Sequence, residues 1–129
     1  MRLFVDRDLG KKLPRALRAV GVEVVAHIER YPSADEESIA DAVWIAEATR
    51  RGEVIVTRDG RIRRMSAEVA AIKAAGARCF VLEVGNGTPF TYLRTLMLAW
   101  PALEKKVDEL PPPFVIGINA KGRLIQRLP

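Results

Sequence analysis

Asp6, Asp59 and Glu83 each stand just past a short apolar run, where a strand gives way to a loop. The runs are Leu3-Phe4-Val5, Val54-Ile55-Val56 (carried on by Thr57-Arg58) and Cys79-Phe80-Val81-Leu82. In an open parallel sheet, ligands bind beyond the carboxyl ends of the strands. Three acids at three such ends therefore face one edge of the sheet. Clustered carboxylates repel one another unless protons or a cation neutralise them. Hard oxygen ligands in a loose, water-retaining set suit Mg²⁺ or Mn²⁺. Such ions activate a water and stabilise charge on a phosphodiester under in-line attack. His27 is the only histidine, so acid–base work here falls to carboxylates and metal.

Each acid also has an ordinary explanation. Asp6 can end a strand, and Asp59 in Thr-Arg-Asp-Gly can be a turn aspartate. Asp8 reads first as the N-cap of a helix, and second as a metal ligand. Asp41 falls inside a helical pattern, where aspartate is a weak helix former. Arg58, Arg61, Arg63 and Arg64 crowd around Asp59 and could hold the phosphates of a substrate; a solvated charged loop is the alternative. Trp44, one turn past Asp41, reads as core, with base stacking as the lesser role.

Positioning these residues takes alternating strands and helices. Arg2–Val5 reads as a first strand buried on both faces. A helix from Leu9 to Val20 follows, with Leu13, Ala16, Leu17 and Val20 at helical spacing and Gly21 as its αL cap. Pro14 is tolerated only near its first turn. Strand Val22–Ala26 leads to a loop over His27–Ala34. Ser33 and Glu36 form a capping-box pattern for a helix from Asp35 to Arg51, its apolar side supplied by Ile39, Val43, Ala46 and Ala48. Strand Glu53–Thr57, a helix to Ala75 with Ser66 and Glu68 suggesting its N-terminal cap, and strand Arg78–Leu82 come next. A longer helix from Pro89 to Leu110, bent near Pro101, leads to Pro111-Pro112-Pro113. Two β runs around Asn119-Ala120-Lys121-Gly122 then predict a hairpin. Four β-α repeats argue for a parallel sheet with helices on both faces and right-handed crossovers.

The 129 residues suffice for one domain: an α/β body over 1–110 and a C-terminal hairpin over 111–129. The chain has 21 Lys plus Arg against 16 Asp plus Glu, a formal net charge of +5, so it attracts polyanions, nucleic acid first among them. Cys79 is the sole cysteine and has no internal disulfide partner, which suits a reducing, cytoplasmic setting. The opening residues lack the longer apolar core of a signal peptide, and no apolar stretch approaches a membrane span.

Leu3 to Leu9 and the stretch from Leu17 to Val25 resemble the opening of PIN-like domains. Asp41-Ala42-Val43-Trp44-Ile45-Ala46, followed by Val54 to Asp59, looks like their central block, in which a helical Asp precedes a strand ending in Thr-x-Asp. Pro112-Pro113-Phe114-Val115 and Gly122-Arg123-Leu124 are similar to the end of a branch grouped with VapC-type toxins. The resemblance implies a three-layer α/β/α fold with a mostly parallel sheet. It also implies a metal-dependent endoribonuclease, often the toxin of a type II toxin–antitoxin pair and commonly dimeric. RNA would then be the substrate and a cognate antitoxin the partner. By position, Asp6, Asp41 and Asp59 become the catalytic acids and hold Mg²⁺ or Mn²⁺. Related domains often carry another acid two places after the one matching Asp59; here that place holds Arg61, so a fourth ligand would come from Asp8 or Glu83, or be missing. That departure motivates an alternative, a catalytically silent module that binds RNA or protein. A phosphoacceptor receiver domain would need a Lys where Glu83 stands.

Overall fold

The computed structural model describes residues 1–32, 39–58, 60 and 66–128. Six strands form one sheet: β1 (Arg2–Val5), β2 (Val24–Ala26), β3 (Glu53–Thr57), β4 (Arg78–Glu83), β5 (Phe114–Asn119) and β6 (Leu124–Leu128), in the order β2-β1-β3-β4-β5-β6. The first five run parallel, and β6 returns antiparallel to β5. The helices are α1 (Lys12–Ala19), α2 (His27–Arg30), α3 (Asp41–Arg50), α4 (Ser66–Ala75) and α5 (Pro89–Glu109). With layers of helix on either side, this is the expected α/β/α sandwich ending in a hairpin, and β5 completes the parallel sheet before the chain turns back.

Strand alternation divides the core in two. Leu3, Val5, Val54, Val56, Phe80, Leu82 and Ile116 face α1 and α5. Phe4, Ile55, Cys79, Val81 and Val115 face α3 and α4. β1, β3 and β4 are buried on both faces, which explains their unbroken apolar runs. The crossovers differ in hand. α3 and α4 lie on one face while the sheet grows from β2 through β3 to β4. α5 continues growth in the same direction, to β5, from the opposite face. That last connection therefore has the hand opposite to the other three, against the expected uniformity. The eight residues of α1 cannot cover this face of a six-stranded sheet alone. α5, with 21 residues, lays Tyr92, Leu96, Ala99 and Leu103 over the rest.

Several local expectations shift. α1 starts at Lys12 because a 3₁₀ turn, Arg7–Leu9, precedes it. Pro14 falls in the first turn of α1, as its missing N–H requires. Val20 is 67% exposed, beyond the helix end. β2 begins at Val24, and the expected loop after it opens with the single turn α2, whose start is secured by the Glu29 carboxylate accepting the Ala26 N–H at 2.8 Å. The helix expected from Asp35 begins only at Asp41, because Ala40 has extended backbone (φ −63°, ψ 145°); Ile39 is outside it. Its buried side is Trp44, Ile45 and Ala48, while Val43 is 57% exposed. The capping pair Ser33 and Glu36 lies outside the described residues.

At the hairpin turn, Asn119 Oδ1 accepts the N–H groups of Lys121 and Arg123, and Gly122 takes the left-handed conformation (φ 78°). Arg127 on β6 grips both oxygens of Glu83 on β4, at 2.6 and 3.0 Å. The carboxylate lies across Gly117 of β5, where any Cβ would collide with it. No helix among the described residues is long and apolar enough to cross a membrane.

Candidate metal and nuclease site

The strand order reverses between β1 and β3: the chain first adds β2 on one side of β1, then β3 on the other. Such a switch point opens a crevice at the carboxyl ends of the two strands. Val5 pairs with Val56, so Asp6 comes level with Thr57, and the Asp6 N–H donates to the Val56 carbonyl at 2.9 Å. By alternation both side chains point to the face of Phe4 and Ile55, the face carrying α3. The extended Asp6 (φ −64°, ψ 153°) caps the 3₁₀ turn, its Oδ1 accepting the Arg7 N–H at 2.7 Å. The turn folds Asp8 back toward the same point.

The Thr57 hydroxyl donates to Asp6 Oδ2 at 2.7 Å and lies 3.4 Å from Asp8 Oδ2. Asp8 Oδ1 also accepts the Arg58 N–H at 3.3 Å. Asp8 is thus not the cap of α1; its oxygens are committed to the end of β3. Asp41, the first residue of α3, accepts the Trp44 indole N–H at 2.9 Å. At that position an aspartate favours the helix through the macrodipole. Trp44 is 2% exposed and stacks on Phe4 with ring centroids 5.5 Å apart, so it is core, as read.

These neighbours act on Asp6. Burial, then the charge of Asp8 and more weakly that of Asp41, push its carboxyl up to about 7 against the pull of the Thr57 and Arg7 hydrogen bonds. A group of this kind prefers a proton or a cation to bare charge. Among the described residues, no three His, Cys, Asp or Glu side chains stand close enough to hold a metal alone. The pair Asp6 and Asp8 does fit a hydrated Mg²⁺ or Mn²⁺, which binds through one or two carboxylates and keeps its waters.

Asp59, Arg61, Arg63 and Arg64 lie outside the described residues. The Arg58 side chain stands at the end of β3, its Nε buried without a hydrogen-bond partner among the described residues. Glu83, held by Arg127 on the β5–β6 side of the sheet, is separated from Asp6 by the width of β3.

Three contributors were not singled out from the residues: Thr57, Arg7 and His27. Arg7 Nε donates to His27 Nδ1 at 3.3 Å, and its Nη2 to the Tyr31 carbonyl at 3.0 Å. His27 follows β2 directly and packs against Phe4, Trp44 and Tyr31. Burial and the Arg7 charge lower its pKa, so the imidazole is neutral and accepts from Arg7. The signal for Thr57 was its place at the end of an apolar strand; its side chain is fully buried. Nothing local announces Arg7 or His27.

A family model described as a PIN like domain matches residues 1–84, the stretch from β1 to just past β4. The chain belongs to the PIN-like domain family. Over 122 residues it is 34% identical to a Mycobacterium tuberculosis protein named "Putative ribonuclease VapC45", an alignment covering 91% of this chain and 85% of that one. Its likeness within the family is therefore to the VapC type. No solved structure matches the chain.

Proposed function

We propose that this chain is a divalent-metal-dependent endoribonuclease that hydrolyses RNA phosphodiester bonds as the toxin of a type II toxin–antitoxin pair, with a cognate antitoxin as its partner in the cytoplasm. The observation that carries the reading is the meeting of Asp6 and Asp8 on the hydroxyl of Thr57 at the switch point. The ribonuclease name of the mycobacterial relative supports the same chemistry. Asp6, Asp8, Asp41 and Asp59 would hold Mg²⁺ or Mn²⁺, which when bound activates a water and neutralises charge on the scissile diester. Thr57 and the Arg7 N–H aim the Asp6 oxygens; the Trp44 indole aims Asp41. Arg58, with Arg61, Arg63 and Arg64, supplies positive charge for phosphates flanking the cut. The whole chain acts as one domain, its hairpin extending the sheet.

Incubation of the purified protein with RNA in Mn²⁺, Mg²⁺ or EDTA tests this. Cleavage is expected with either metal and not in EDTA. Asp6→Asn and Asp41→Asn are each expected to slow it by about a hundredfold or more, the scale of a lost acid–base contribution. Cleavage undiminished in an Asp6→Asn, Asp59→Asn double variant would overturn the site.

A further inference from the structure

The crevice beside Asp6 does not end at the carboxylates. A cleft of about 190 Å³, walled by Asp6, Arg7 and His27, runs on past Lys11, Ala26 and Ile28. The same Lys11, Ala26 and Ile28 form one end of a larger trough of about 340 Å³ beneath α1. Its rim carries Lys11, Arg15 and Arg18, and its floor includes Pro14 and Ile28. The three basic residues follow one another along one helix edge, Arg15 about 6 Å along the axis from Lys11 and Arg18 about 4.5 Å further on.

Their commitments differ. Arg18 is tied to Glu29 at 2.7 Å and to the Val24 carbonyl at 2.9 Å, and so shapes the far wall. Lys11 and Arg15 are exposed and take part in none of the salt bridges among the described residues. Arg15 only feels Glu29 at longer range. Two uncommitted cations thus border a trough with an apolar floor that opens on the Asp6 crevice. The net charge of +5 favours a polyanion there.

We infer that this trough is a binding site for single-stranded RNA, with Lys11 and Arg15 on successive phosphates of the strand entering or leaving the Asp6 crevice. The inference rests on the nuclease reading and deepens it. It moves part of the substrate contact away from Arg58, Arg61, Arg63 and Arg64 and onto α1. Cations spaced one turn apart suit consecutive phosphates of an extended strand, and the floor of Pro14 and Ile28 offers apolar surface to a ribose or base. Phosphate contacts of this kind position a strand without reading its sequence.

A Lys11→Ala, Arg15→Ala double variant of the full chain tests it. Anisotropy of a short 5′-labelled single-stranded RNA, in EDTA so that nothing is cut, reads binding apart from catalysis. Affinity is expected to fall about tenfold, and the slope of log affinity on log salt to flatten by about 1.4, or about 0.7 for each phosphate contact. A Lys105→Ala, Lys106→Ala control, at exposed positions near the end of α5, is expected to keep wild-type affinity and slope. With Mn²⁺, an Arg15→Ala single variant, whose side chain lines the trough and not the Asp6 cleft, should hydrolyse bis(p-nitrophenyl) phosphate, too small to span from Asp6 to Arg15, at the wild-type rate. Wild-type RNA affinity in the double variant would overturn the inference, as would an equal loss in the lysine control. A wild-type protein that cuts neither RNA nor the small diester would instead overturn the nuclease reading, and the EDTA binding measurement distinguishes the two failures.

Discussion

Asp6 holds a proton far more readily than an aspartate in water does. Its carboxyl is pushed up to about 7 by burial and by Asp8 and Asp41, while the unfolded chain titrates near 3.8. Between those values the folded state keeps a proton that the unfolded state has released. Stability of the metal-free protein should therefore be highest below pH 4 as far as this group is concerned, and should fall as pH rises through 7. Thermal melts of wild type and Asp6→Asn in EDTA, across pH 5 to 8, should show the downward slope in the first and a flatter profile in the second. A slope unchanged by the substitution would place the titration elsewhere. Thr57 matters for the same reason: one hydroxyl proton, donated at 2.7 Å, offsets part of the repulsion between two acids.

At the scale of elements, α2 and α3 hold the site together although neither is long. α2 sends Arg30 across the Phe4 ring, with its guanidinium carbon 5.1 Å from the ring centroid, onto both oxygens of Glu53 at 2.7 and 2.6 Å. The Glu53 side chain is wholly buried and that of Arg30 is 11% exposed. Removing one partner of such a pair strands the other charge, at a cost of about 3–5 kcal/mol. Arg30→Met is expected to lower the unfolding free energy by that order in urea titrations, with the denaturant slope unchanged. By contrast, the Glu47 pairs with Arg50 and Arg51 lie on an exposed helix edge, and pairs of that kind contribute little. α3 begins late, at Asp41, and that late start is what places its acid at a helix N-terminus toward the crevice.

For the whole molecule, the proposed metal site predicts a stability that depends on divalent ions. A ligand that binds the folded state alone stabilises it by about 2.7 kcal/mol at a hundredfold excess over its dissociation constant. Mn²⁺ is expected to raise the melting temperature at pH 7.5, EDTA to reverse the gain, and Asp6→Asn to abolish it. A melting temperature indifferent to Mn²⁺ in the wild type would remove the metal from the proposal. α5 and the hairpin, outside the matched PIN-like stretch, complete the sheet through the oppositely handed crossover and through the Glu83–Arg127 grip over Gly117.

Much of this was legible in the chain itself. Apolar runs of strand length, helical spacing and glycine stops are local signals, and they marked β1, β3, β4 and β5 nearly to the residue, with the end of α4 and the turn of the hairpin. They also put Asp6 at a strand end, since a strand's limits depend on neighbours in sequence. The tertiary structure alone decided that Asp8 turns from a supposed helix cap to the end of β3, 49 residues away in sequence. It alone decided that Trp44 anchors Asp41, that Arg7 and His27 join across 20 residues, and that α5 crosses on the opposite face. The physical reason is the same in each case. Hydrogen bonds and burial between distant segments depend on strand order, and strand order is set by which apolar faces remain to be covered once the sheet has formed.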